Sequence, residues 1–267
     1  MRAKSLIDCA WLLCIALSSA QAFAQATAQK QLQVQAQASQ ADVVALPWTE
    51  RKPFQFVDRD GKPSGLLYEL GRDIFTAAGV PMKWVEVPAA RIGRSLLTDD
   101  ARLCLVGWFR TPEREKIAKI SLPIYRDHPQ VGVARADSRI GEKRSLLSIT
   151  EDRSIRILVK QGYSYGTYLD SLLALRKGQA IESVVADHAR MLVMLQRGRA
   201  DLIFLTQEEV DYFSSENPHF NNEFRAIPFK ELPVGNQRHI LCTKQVPDEI
   251  MDRLNAAITT IIRNKAD

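Results

Sequence analysis

The chain has 267 residues, with 36 Lys plus Arg against 31 Asp plus Glu, a formal net charge of +5. Its 46% hydrophobic and 25% charged residues make an ordinary globular composition, which argues against a fibre, a disordered chain or a multi-span membrane protein. The length accommodates one large domain or two of ~100–150 residues, and the interspersed basic residues carry no footprint for nucleic acid.

Residues 1–24 come first. Arg2 and Lys4 precede an apolar stretch from Leu6 to Leu17, broken only by Asp8, and small residues then lead to Ala22-Phe23-Ala24. That order reads as a cleavable signal peptide, because an apolar run of about 12 residues falls short of the ~20 that a membrane span needs. A periplasmic location follows. Cys9 follows Asp8 and Cys14 follows Leu13, so neither sits in a lipobox and no lipid anchor is expected. Residues 25–41, mostly Gln, Ala, Ser and Thr, read as a disordered spacer that cannot bury enough surface to offset its ordering entropy. Loss of the signal leaves Cys104 and Cys242, which could pair in an oxidising compartment or stay as isolated buried thiols.

From residue 42 onward, strand-like and helix-like segments alternate, which favours an α/β architecture. Residues 42–47 (DVVALP) form a short strand and 58–62 a turn. Residues 65–78 have helical spacing through Leu66, Leu70 and Ile74, stopped by Gly79 and Pro81. A strand at 82–87, a helical piece at 91–97 and a strand at 102–109 (RLCLVGWF) follow. Thr111-Pro112-Glu113 opens a short helix, with threonine as cap and proline in the first turn. Beyond Pro129, strands are expected at 131–134, 155–159, 200–205, 224–229 and 238–243. Helices are expected at 165–175, 187–197, 207–213 and 247–263.

One motif invites an enzymatic reading. Gly162-Tyr163-Ser164-Tyr165-Gly166 fits a G-x-S-x-G nucleophile elbow between a strand and a helix, and Asp201 with His219 or His239 follows in triad order. No Gly-rich oxyanion loop precedes it. The alternative is a glycine turn that feeds N–H groups into a helix start, where an anion binds without chemistry. The four histidines, His128, His188, His219 and His239, lack metal-ligand spacing, and there is no Walker A or G-x-G-x-x-G loop. No metal and no cofactor is expected.

Other segments carry a resemblance. Lys52-Pro53-Phe54-Gln55-Phe56, the 58–62 turn, Gly65 and Glu69 resemble the opening of family 3 solute-binding proteins, the type II periplasmic binding proteins of ABC uptake systems. Arg110-Thr111-Pro112-Glu113-Arg114, followed by Ile120-Ser121-Leu122-Pro123-Ile124-Tyr125, resembles that family's T-P-E-R … F-S-x-P-Y signature, with Ile120 in place of phenylalanine. Val133 to Ser138 resembles the V-R-x-x-S start of the second lobe, and Gly198-Arg199-Ala200-Asp201 the G-x-x-D strand start. The matches run in order over residues 42–263.

The resemblance implies two α/β lobes joined by two crossing segments, with a ligand cleft between them. Lobe 1 would be 42–126 plus 234–267 and lobe 2 127–233, with the crossings acting as hinges. It implies that Arg114 grips a ligand carboxylate beside the helix start at Thr111, a role suited to a rigid two-donor guanidinium. Trp108 and Phe109 would line the floor, and Gly162, Tyr163 and Ser164 would close from lobe 2. The acid that meets an amino acid's ammonium in this family falls at Thr206, which has no charge, while Arg91 falls near the ligand's side chain and Glu50 near the rim. These departures favour a small anion lacking an α-ammonium over a standard amino acid. The resemblance also places Cys104 and Cys242 on neighbouring strands, with bonded and free states both open.

The function expected is capture of a small carboxylate-bearing solute, amino-acid-like or an organic anion, for an ABC permease or a sensor, by a monomer. Two rivals stand beside it: a periplasmic enzyme, either dehydratase-like on the same scaffold or a Ser164 hydrolase, and an orphan ligand-sensing domain.

Overall fold

The computed structural model describes residues 43–97, 101–138, 140, 145–176 and 181–266. The expected signal peptide and spacer lie outside the described residues.

The first lobe is built from β1 (Val44–Trp48), β2 (Phe56–Val57), β3 (Pro63–Ser64), α1 (Leu66–Ala77), β4 (Met82–Glu86), α2 (Ala89–Ile92), a 3-10 turn (Gly93–Leu97), β5 (Cys104–Phe109), α3 (Pro112–Ile117), β6 (Ala118–Ile120) and β7 (Tyr125–Arg126). The second contains β8 (Gln130–Arg135), α4 (Leu146–Glu151), β9 (Ile157–Lys160), α5 (Thr167–Leu175), β10 (Ile181–Val184), α6 (His188–Gln196), β11 (Ile203–Thr206), α7 (Gln207–Glu216), α8 (Phe220–Glu223) and β12 (Phe224–Pro228). The chain then returns to the first lobe with β13 (Gln237–Thr243) and α9 (Asp248–Ala266). Among the described residues no helix is long and apolar enough to cross a membrane.

In the first lobe β1 pairs in parallel with β4, and Ala45 bridges Leu103 at the edge of β5. The late strand β13 inserts antiparallel between β5 and β6. In the second lobe β8 lies antiparallel between β11 and β12, while β9 pairs in parallel with β10 and bridges Leu202 through Ile157. The two crossings run side by side, with Asp127 N–H donating to the Asn236 carbonyl at 3.0 Å.

The sequence pattern accounts for the packing. Helix α1 buries Leu67, Leu70, Gly71, Ile74 and Phe75, an i, i+3, i+4, i+7, i+8 stripe. Leu66, which the expected face included, is 41% exposed, so the stripe begins one residue later. Gly65 precedes it at φ 114, and a Cβ there would lie 2.6 Å from the Phe54 carbonyl oxygen. Only glycine permits that approach. The same Phe54 carbonyl accepts the Leu67 N–H, which anchors the helix start. Helix α9 closes this core with Met251, Leu254, Ala257 and Ile258.

Cys104 and Cys242 face each other in the β5–β13 register and are joined by a disulfide. The bond links positions 138 residues apart, so it restricts a long loop of the unfolded chain. Reduction, or a Cys104→Ala/Cys242→Ala pair, is expected to cost about 2–4 kcal/mol. Urea unfolding with and without reductant measures this, and an unchanged midpoint would refute it.

Candidate functional site

A cavity of about 390 Å³ opens between the lobes, in the size range of small-molecule sites. Its walls come from the carboxyl ends of strands, where open α/β sheets place their ligands. Thr49 and Arg51 follow β1, Trp108 and Phe109 end β5, and Lys160 ends β9 ahead of Gln161, Gly162, Tyr163 and Ser164. Phe54, Leu67, Ile92, Leu96 and Val106 supply an apolar side.

Arg114 reaches the cavity from α3. Thr111 Oγ1 caps this helix by accepting the Arg114 N–H at 3.4 Å, and Pro112 occupies its first turn. The guanidinium donates to the Phe109 carbonyl at 2.7 Å and stacks over Trp108 at 4.6 Å. Those two contacts fix its plane. Burial pulls its pKa below the ordinary value, opposed by the field of Asp170.

Five cationic side chains line the cavity: Arg51, Arg94, Arg114, Lys160 and Arg238. Among the described residues no carboxylate does. Arg238 is neutralised by Asp127, its Nε and Nη2 donating to the two carboxylate oxygens at 2.5 and 2.6 Å. Arg51 donates from Nε to Glu209 at 2.8 Å and stacks against Phe54 and Tyr163, each at 4.6 Å. Arg94, Arg114 and Lys160 have no ion-pair partner among the described residues. Lys160 is 7% exposed, and burial, then the charge of Arg51, lower its pKa.

Glu209 joins the two lobes. It is 1% exposed, and its Oε1 meets both Arg51 of the first lobe and His188 Nδ1, each at 2.8 Å. Its Oε2 accepts the Thr206 N–H at 2.9 Å, completing a capping box at the start of α7. Burial opposes its charge, but Arg51 and His188 together hold its carboxyl well below the usual range.

The structure thus brings Arg114, Trp108, Phe109, Gly162, Tyr163 and Ser164 to one cavity and leaves four anticipated residues outside its lining. Thr111 acts behind Arg114 as a helix cap. Thr206 is 1% exposed and turned into the α7 cap. Glu50 points to solvent, paired with Lys52 at 3.5 Å. Arg91 is exposed on α2, and the cavity is lined instead by Ile92 of that helix and Arg94 of the following 3-10 turn. Arg51, Arg94, Lys160, Arg238 and Glu209 were not anticipated. The position of Arg51 and Lys160 at strand ends was the available signal.

Ser164 lacks the partners of a nucleophile. Its hydroxyl donates to Asp170 at 2.5 Å and accepts the Gly166 N–H at 3.2 Å. No described histidine bonds to it: His239 Nδ1 meets the Ser121 carbonyl, His188 meets Glu209 and Asp201 pairs with Arg156. No cluster of metal-ligating side chains occurs among the described residues.

The family model for bacterial extracellular solute-binding proteins, family 3, matches residues 43–266. No curated protein matches the sequence significantly. Among solved structures, a mutant of arginine-bound ArgBP from T. maritima is 21% identical, with TM-score 0.67, 84% of this chain and 98% of that one covered. ArtJ from Geobacillus stearothermophilus, an arginine-, lysine- and histidine-binding protein, is 18% identical with TM-score 0.68, covering 83% and 90%. The ancestral amino acid-binding protein AncCDT-1, a precursor of cyclohexadienyl dehydratase, is 17% identical with TM-score 0.67, covering 86% and 93%.

The buried His188–Glu209 pair makes folding sensitive to acid. Burial lowers His188 below 6.5, so the unfolded chain binds a proton there before the folded chain does, and stability falls as pH drops below 6.5. Glu209, lowered from 4.5, adds a second loss below that value. His239, also lowered by burial, contributes to the first limb. Urea midpoints measured from pH 8 to 4 are expected to hold above about 6.5 and fall below it, and His188→Gln to flatten the upper limb. A midpoint constant over this range would contradict the assignment.

Proposed function

Because the chain belongs to family 3 of the bacterial extracellular solute-binding proteins, we propose that it captures a small carboxylate-bearing anion between its lobes. The exported protein then delivers that solute to an inner-membrane ABC-type permease. The observation that carries the reading is the charge of the cavity wall, where among the described residues Arg94, Arg114 and Lys160 stand without carboxylate partners and no acid is present. A carboxylate would take both donors of the Arg114 fork while Trp108 holds the guanidinium plane. Gly162, Tyr163 and Ser164 line the same space from the second lobe, and Gly162 adopts φ 71 there with open space where a side chain would stand.

Titration calorimetry over a panel of mono- and dicarboxylates tests this. Arg114→Ala is expected to weaken the best binder by about 2–5 kcal/mol, roughly 30-fold or more, because it strips the fork from a buried anion. Affinity undiminished in Arg114→Ala would overturn the role given to Arg114.

The pH dependence of binding has a definite sign. A bound anion raises the pKa of Lys160, which burial lowers in the free protein. Affinity is therefore full below the free-state pKa, falls as pH rises through it, and levels off at the raised value of the complex. Lys160→Met is expected to weaken binding and to remove this alkaline limb. A limb that persists in the variant would assign it to another group.

A further inference from the structure

We propose that Arg51 is a specificity-determining residue of this cavity: a resident cation that occupies Glu209 and so turns away solutes carrying an α-ammonium. The inference rests on the solute-binding reading above and adds which solutes the site refuses.

A ligand ammonium that enters a desolvated cavity needs a carboxylate in return, since a buried cation without a partner is strongly disfavoured. Among the described residues the lining supplies none, but Asp127, Asp170 and Glu209 are each bonded to a lining side chain. Asp127 is held at both oxygens by Arg238, which also donates to the Gly107 carbonyl at 2.7 Å, so that pair is locked into the first lobe. Asp170 accepts from Ser164 Oγ at 2.5 Å and from the Tyr165 N–H at 2.8 Å. Glu209 differs from both. Toward the cavity it is covered by Arg51, which is attached through Nε alone, whereas Arg238 holds Asp127 through two nitrogens.

The terminal amino groups of Arg51 make no hydrogen bond to the described residues, although Phe54 and Tyr163 hold the guanidinium between them. The side chain therefore acts twice. It keeps the Glu209 carboxylate from a ligand's reach, and it adds unused donors for an anion. His188 remains on the far side of Glu209, so removal of Arg51 leaves a carboxylate that is partly compensated and open toward the cavity.

The test uses matched pairs that differ by one α-ammonium: succinate with L-aspartate, glutarate with L-glutamate, 3-phenylpropionate with L-phenylalanine, and 4-methylpentanoate with L-leucine. Titration calorimetry on the wild-type protein is expected to favour the deaminated member at least tenfold for whichever pair binds. In Arg51→Met that preference is expected to shrink at least tenfold or reverse, whereas Arg51→Lys keeps it and Arg51→Met/Glu209→Gln restores it. Arg51→Gln replaces the methionine variant if circular dichroism shows that it fails to fold. An unchanged preference in a folded Arg51 variant overturns the proposal while leaving the solute-binding reading intact. So does a wild type that binds the amino acid as tightly as its partner, a comparison that needs no substitution. If the wild type binds neither member of any pair, the anion-binding reading fails and this proposal with it.

Discussion

Glu209 is the residue on which the closed arrangement depends. It draws together Arg51 from the loop after β1, His188 at the start of α6 and the N–H of Thr206 at the end of β11. Two of these contacts lie within the second lobe and the third crosses the cleft. A buried ion pair adds little relative to an apolar substitute, but breaking one by removing a partner costs about 3–5 kcal/mol. The lobes are therefore held in register by an interaction whose loss on opening must be offset by hydration of both groups. Tyr125 Oη, donating to Glu208 at 2.9 Å from the neighbouring crossing, adds a contact between the first lobe and the same turn of α7.

The cavity charges are positioned by backbone rather than by long flexible reach. Lys160 is the last residue of β9, and its N–H is held by the buried Tyr165 hydroxyl at 2.8 Å. Arg114 sits within the first turn of a helix whose cap is Thr111 and whose plane is set by Phe109 and Trp108. Gly107 makes the floor possible. It adopts φ 80, and a Cβ there would lie 2.3 Å from Leu67 Cδ1, so the first core helix and the cavity floor touch at this point. Core and site are thus one packing problem in the first lobe.

Strands of strong apolar run and helices with clear caps were legible in the sequence: β1, β5, β11, α1 and the Thr111 cap lie where their residues place them. The elements not foreseen were α4, α8 and β10, with the short strands β2, β3, β6 and β7. Strand β10 reads Ile-Glu-Ser-Val with exposed centre residues and pairs only with β9, so it carries neither alternation nor an apolar run. In the site, Arg114 and the Gly162–Ser164 turn were legible because they sit in motifs whose order and spacing are local. Arg51, Lys160 and Arg238 were not, because a place near a strand end does not by itself separate a cation that faces a cavity from one that faces water. Thr206 misled for a related reason. The sequence shows a missing acid at that position but not that Glu209, one helical turn on, brings a carboxylate back into the lobe interface.

That displacement changes what closure requires. With no carboxylate on the wall, bringing the lobes together gathers Arg94 and Arg114 of the first lobe and Lys160 of the second around one low-dielectric space. Like charges there repel more strongly than they do in water, while the lowered pKa values of Arg114 and Lys160 come first from burial, then from Arg238 and Arg51 respectively among the nearby cations. The Arg51–Glu209 pair pulls in the opposite direction. An anion between the lobes changes the sign of the first term without touching the second, so its differential affinity for the closed form is built from charges already in place. A zwitterion brings a negative group to the same cations but adds a positive one to a wall that is already too positive. On the proposed reading it relieves the repulsion only in part, and closure around it is expected to be weaker.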